Sequence, residues 1–128
     1  MARVLALVPD LLFGSRLQAA VRRDGYELEL IADEPGLRVR LGEEGAGRVA
    51  ALVIDLTDDG LDGPGVLERL VADGTLGGIG TLGFYSHVDA SARRRAESAG
   101  FDLVVPRSRM AREAAALVER VAAGAGEA

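Results

Sequence analysis

The stretch Ala50–Asp59, reading AALVIDLTDD, constrains the fold of this chain more than any other segment. Ala50 to Ile54 form an unbroken apolar run that passes directly into Asp55, and Asp58, Asp59 and Asp62 follow. A short apolar run bounded by turn-forming residues reads as a strand buried on both faces, the kind found in parallel sheets covered by helices. An acid at the carboxyl end of such a strand lies where open α/β sheets place their ligands. Asp55 is therefore the first candidate for a functional residue.

At 128 residues and 48% apolar content, the chain is long and apolar enough to fold as one domain. With only three Phe, two Tyr and no Trp, the core has to be built from Leu, Val, Ile and Ala. There is no Cys, which excludes disulfides, thiolate metal sites and a cysteine nucleophile. All fifteen basic residues are Arg, so Schiff-base chemistry and a Walker phosphate loop are excluded as well. The apolar run Val4–Val8 is too short for a signal segment or a membrane span and meets Pro9 and Asp10 at once. A soluble, cytoplasmic protein without membrane association is expected. The net charge of −5 argues against direct nucleic-acid binding.

In chain order, Arg3–Val8 predicts a buried strand. Phe13, Leu17 and Val21, spaced by four, predict a helix over 12–24, with Gly25 in the left-handed position that ends it. Tyr26–Ala32 alternates apolar and acidic residues, as a strand near a sheet edge does. Asp33–Val49 is ambiguous. Leu37, Val39 and Leu41 alternate with arginines like a strand, Gly42, Gly45 and Gly47 oppose a long helix, and a parallel neighbour demands a crossover. A short helix or irregular segment is expected there. Ala50–Leu56 is the central strand and Thr57–Pro64 an acidic, glycine-rich loop. A helix over Gly65–Asp73 closes at Gly74, and Gly80–Ser86 is the fourth strand. Asp89 is expected to cap a helix over Ala90–Ala99 that ends at Gly100. Leu103–Val105 is the fifth strand. Ser108 is expected to cap a last helix carrying Met110, Ala114, Leu117, Val118 and Val121 on one face. Alternating strands and helices of this size predict an α/β fold of the flavodoxin-like type, a three-layer sandwich whose five-stranded parallel sheet has the order 2-1-3-4-5. The domain is expected to span 1–123, with 124–128 as a frayed tail.

In that order the first and third strands are neighbours, so Asp10 and Asp55 should meet at the carboxyl edge, with Ser86, Pro106 and Arg107 completing a rim. Two carboxylates held close repel, which favours a hard cation such as Mg²⁺ or a shared proton. Solvated loop acids at a sheet edge would look the same in sequence.

With these residues in view, the chain resembles the receiver domains of two-component response regulators, the CheY-like domains, over nearly its whole length. The resemblance implies that Asp10 is the second of an acidic pair and Asp55 the phosphoacceptor. It also implies that Ser86 is the hydroxyl that follows phosphorylation, and that Arg107, seven residues after Gly100, stands at the family's lysine. Mg²⁺ on Asp10 and Asp55 is implied as the cofactor, and a histidine kinase or another signalling protein as the partner. Several positions depart from the family pattern. Pro9 stands where the first acid belongs, Arg107 replaces Lys, and His87 follows Ser86 where a small residue is usual. Val104 takes the place of the switch aromatic, and Pro64 is displaced downstream of Asp55. The pattern is that of a degenerate, pseudo-receiver variant.

Other motifs carry less. Gly78–Gly83 matches GxGxxG formally, but a dinucleotide fingerprint needs those glycines between a first strand and its helix. Ser86 and His87 lack the GxSxG context of a hydrolase. Arg93, Arg94 and Arg95 form a basic spot on the fourth helix that could meet a partner. The reading expected from the sequence is a stand-alone, non-enzymatic signalling domain that acts by protein contact as a homodimer, with weak or absent phosphorylation. The alternatives are a functional Mg²⁺-dependent phosphoacceptor at Asp55, or a small flavodoxin-like ligand-binding protein or enzyme.

Overall fold

The computed structural model describes residues 2–44, 48–58, 60–86 and 90–125. Five strands alternate with five helices: β1 (Ala2–Leu7), α1 (Leu11–Arg22), β2 (Tyr26–Ile31), α2 (Glu34–Glu44), β3 (Val49–Asp55), α3 (Gly63–Ala72), β4 (Gly80–Tyr85), α4 (Ala90–Ala99), β5 (Leu103–Pro106) and α5 (Arg107–Ala125). All strands are parallel, in the predicted order β2-β1-β3-β4-β5.

The central strand is as dry as its sequence requires, because successive side chains enter two different cores. Ala51 and Val53 join Val4, Ala6, Leu82 and Phe84 beneath α1 and α5, which contribute Phe13, Leu17, Val21, Met110, Leu117 and Val118. Leu52 and Ile54 join Leu5 and Leu7 on the opposite face, beneath Leu37 and Leu41 of α2, Val66, Leu67 and Leu70 of α3, and Ala96 of α4. Gly25, Gly74 and Gly100 take the positive φ values of 87°, 66° and 110° expected of helix stops.

The ambiguous segment after β2 is a helix of 11 residues. Asp33 starts it by accepting a hydrogen bond from the Gly36 amide at 2.8 Å. Leu37 and Leu41, one helical turn apart, are buried, while Val39 between them is 58% exposed. Glu34 ties this helix to α3 through Arg69 at 2.6 Å. The last helix needs a correction. It begins at Arg107, directly after Pro106, so Ser108 stands inside the first turn and not in front of it. It also bends at Glu113, whose φ of −126° and ψ of 24° are not helical. It continues through Gly124 to Ala125, and the remainder of the expected frayed tail lies outside the described residues. Asp89, expected to cap α4, also lies outside them, as does His87.

Candidate functional site

Parallel pairing sets the site. Leu7 lies opposite Ile54, Asp55 opposite Phe84, and Tyr85 opposite Pro106, so β1, β3, β4 and β5 all end at one edge. Asp10 follows β1, Asp55 is the last residue of β3, Ser86 follows β4, and Arg107 follows β5. The chain therefore brings all four sequence-predicted residues to the same rim.

Their contacts are more specific than the spacing implied. Asp10 is the N-cap of α1, and its Oδ1 accepts from the amides of Leu12 and Phe13, both at 3.1 Å. Its Oδ2 accepts from Arg107 Nη2 at 3.0 Å. The amide of Phe13, the Arg107 guanidinium and the Leu12 amide hold the Asp10 carboxyl below the usual carboxylate range, partly opposed by desolvation. Arg107 also lies over the ring of Phe13, with its guanidinium carbon 4.1 Å from the centroid. Phe13 in turn packs on Phe84 with the ring centroids 5.1 Å apart. The basic residue after β5 is thus bound from two sides by the start of α1.

Asp55 is buried, at 2% exposure. Its Oδ1 accepts from both the amide and the hydroxyl of Thr57, at 2.7 and 2.6 Å. This is a local Asx-type turn that folds the acid back on its own loop. Ser86 is exposed at the end of β4. Val104 is half-buried and packs against the core beneath α2, α3 and α4. Around the rim, Asp62 adopts a left-handed φ of 50° and pairs with Arg95 of α4 at 2.9 Å. Arg93 pairs with Glu97 at 2.8 Å, so two arginines of the basic spot are already engaged within the chain.

Two residues that shape the rim, Thr57 and Phe13, are not among the candidates the sequence marks. Thr57 could have been found from the Asp-x-Thr spacing, which favours a side-chain turn. Phe13 lies on the apolar stripe of α1 and also three residues after an acid at a helix start, where its amide is a capping donor.

Mg²⁺ demands nearly octahedral oxygen coordination and is usually held by one or two carboxylates with waters completing the shell. Here one Asp10 oxygen serves two amides, the other faces a guanidinium, and Pro9 supplies no carboxylate. Among the described residues no group of three or more His, Asp or Glu side chains is arranged to hold a metal. The donor set present does not fit the ion that the fold implies. A flavin or nucleotide phosphate fares no better at α1, since the carboxylate of Asp10 already fills that helix N-terminus. No helix among the described residues is long and apolar enough to cross a membrane.

The sequence matches no protein-family model and no curated protein sequence. Solved structures do match. The receiver domain of the Francisella response regulator 1452 superposes with a TM-score of 0.80 at 14% identity, covering 95% of this chain and 97% of that one. A CheY-like response regulator receiver domain protein from Methanospirillum hungatei gives 0.81 at 15% identity, covering 99% and 98%. An orphan response regulator of H. pylori gives 0.72 at 15% identity, covering 94% and 93%. Over nearly its whole length, the chain has the CheY-like fold of response regulator receiver domains.

Proposed function

We propose that this protein is a receiver-type signalling module that works through protein contact, and that Asp55 accepts phosphoryl groups weakly or not at all. The observation that carries this reading is the engagement of Arg107. Its guanidinium is bonded to Asp10 at 3.0 Å and stacked on Phe13, so steadying a phosphoryl group on Asp55 would require leaving both partners. Asp55 itself is buried and committed to Thr57. Phosphoryl transfer depends on positioned positive charge, and the cation that follows β5 at this rim is already neutralising another carboxylate. Leu11 and Leu12, 71% and 70% exposed beside the rim, give a partner apolar surface to grip. The partner is another signalling protein, or a histidine kinase, and the module works as a homodimer.

The test is incubation with acetyl phosphate and Mg²⁺, followed by intact mass measurement. The wild type is expected to show no stoichiometric gain of a phosphoryl group. A gain that disappears in Asp55→Asn would overturn this reading in favour of a Mg²⁺-dependent phosphoacceptor, with Asp10 and Asp55 on the metal and Ser86 and Arg107 on the phosphoryl oxygens.

A further inference from the structure

We infer that Arg107 is the resident cation of this rim: its guanidinium holds the charge position beside Asp10 and keeps a divalent metal out, so that the domain is built to stand without Mg²⁺. The inference rests on reading the rim as the receiver-type site proposed above, and it concerns what occupies that site.

Three residues close on one another to make the unit. The Asp10 carboxylate accepts the Phe13 amide through Oδ1 and the Arg107 guanidinium through Oδ2. The same guanidinium lies over the Phe13 ring at 4.1 Å. Phe13 is 5% exposed and packed against Phe84, so the ring that receives the cation belongs to the core and cannot swing away. A planar guanidinium can make a carboxylate bond in its plane while stacking with its face, which a compact ammonium cannot do equally well. An arginine at this place therefore has a structural consequence: the cation is drawn across to α1.

Electrostatics then disfavour the metal. Asp10 and Asp55 contribute two negative charges and Arg107 one positive charge, leaving a single negative charge on these three groups. A divalent ion on Asp10 would have to sit beside a guanidinium that already lies 3.0 Å from its ligand oxygen. Arginine stays protonated at every accessible pH, so the guanidinium cannot escape that repulsion by losing its proton. Asp55 offers no compensating open cluster, because one of its oxygens serves Thr57 twice.

The experiment titrates the full chain with millimolar MgCl₂ against ionic-strength-matched NaCl. It follows the amide resonances of Leu12, Phe13 and Thr57 together with the thermal midpoint. The wild type is expected to give no saturable shift beyond the salt control. Arg107→Gln, which removes the charge, is expected to acquire a saturable Mg²⁺ shift at Leu12 and Phe13 and a Mg²⁺-dependent rise in midpoint. Both should vanish in the double variant Asp10→Asn/Arg107→Gln. A saturable response in the wild type, lost in Asp10→Asn or Asp55→Asn, would overturn the inference without needing Arg107→Gln to fold. A folded but silent Arg107→Gln would overturn it too, since the guanidinium would then not be what excludes the metal. No phosphodonor is present, so failure here is separate from failure of the proposed function. A wild type that binds Mg²⁺ but takes no phosphoryl group defeats only the inference, and one phosphorylated at Asp55 without a metal response at Asp10 defeats only the function.

Discussion

Asp10 shows how one residue can be claimed by two roles and held by one. Its position after β1 makes it a candidate site acid, but its bonds make it a helix cap and an ion-pair partner. Asparagine caps helices about as well as aspartate, so Asp10→Asn preserves the hydrogen-bond acceptor and removes the charge. The folded state depresses the Asp10 pKa below its ordinary value of 3.8, so the ionised form stabilises the fold. That contribution is complete above the ordinary value and fades as the pH falls through the lower folded value. Urea unfolding should therefore find wild type more stable than Asp10→Asn at neutral pH, with the gap closing only below about pH 4. Added NaCl should narrow the gap at neutral pH, because both partners are roughly two-fifths exposed. A gap that persisted unchanged in acid would mean that the charge of Asp10 does not carry the stabilisation.

Among the elements, β4 and α2 make opposite predictions from the same residue type. At Gly80, the first residue of β4, an added Cβ would run into the Val121 carbonyl oxygen of α5. Backbone cannot step aside as a side chain can, so Gly80→Ala should destabilise by about 1–3 kcal/mol. Gly42 in α2 has nothing within 4 Å of its would-be Cβ, and there Ala should stabilise by about 0.5–1 kcal/mol through helix propensity alone. Chemical denaturation of the two variants checks both signs. The α2 segment also shows why sequence patterns fail locally. Residues four apart share a face in both a helix and a strand, so Leu37 and Leu41 cannot distinguish the two, and only the exposure of Val39 does. The other elements were legible because apolar runs and stripes end at Gly25, Gly74 and Gly100, where the chain needs a left-handed residue. The rim was legible for the same reason, since topology alone carries positions 10, 55, 86 and 107 to one edge. The bonds within the rim were not. Asp10 and Arg107 are 97 residues apart, and no local pattern announces which carboxylate an arginine will choose.

For the molecule as a whole, the sheet is a wall shared by two cores, and stability should be indivisible across it. Leu52 and Val53 are neighbours on β3, both fully buried, yet Leu52 faces α2, α3 and α4 while Val53 faces α1 and α5. Leu52→Ala should cost about 2–5 kcal/mol, and Val53→Ala less because it removes fewer carbons. Both should move a single urea transition to lower midpoint without changing its slope, since the same surface is exposed on unfolding. The two tyrosines allow the shared wall to be tested directly. Tyr26 packs against the core beneath α1 and α5, and Tyr85 ends β4. If the faces melt together, far-UV circular dichroism and tyrosine fluorescence must trace one curve in the wild type and in both variants. A Leu52→Ala protein whose circular dichroism shifts while the Tyr26 signal stays in place, read with Tyr85→Phe to isolate it, would mean that α1 and α5 hold their half of the molecule alone. The rim, which joins α1 to α5 through Asp10 and Arg107, would then belong to one half of the molecule and could not report on the other.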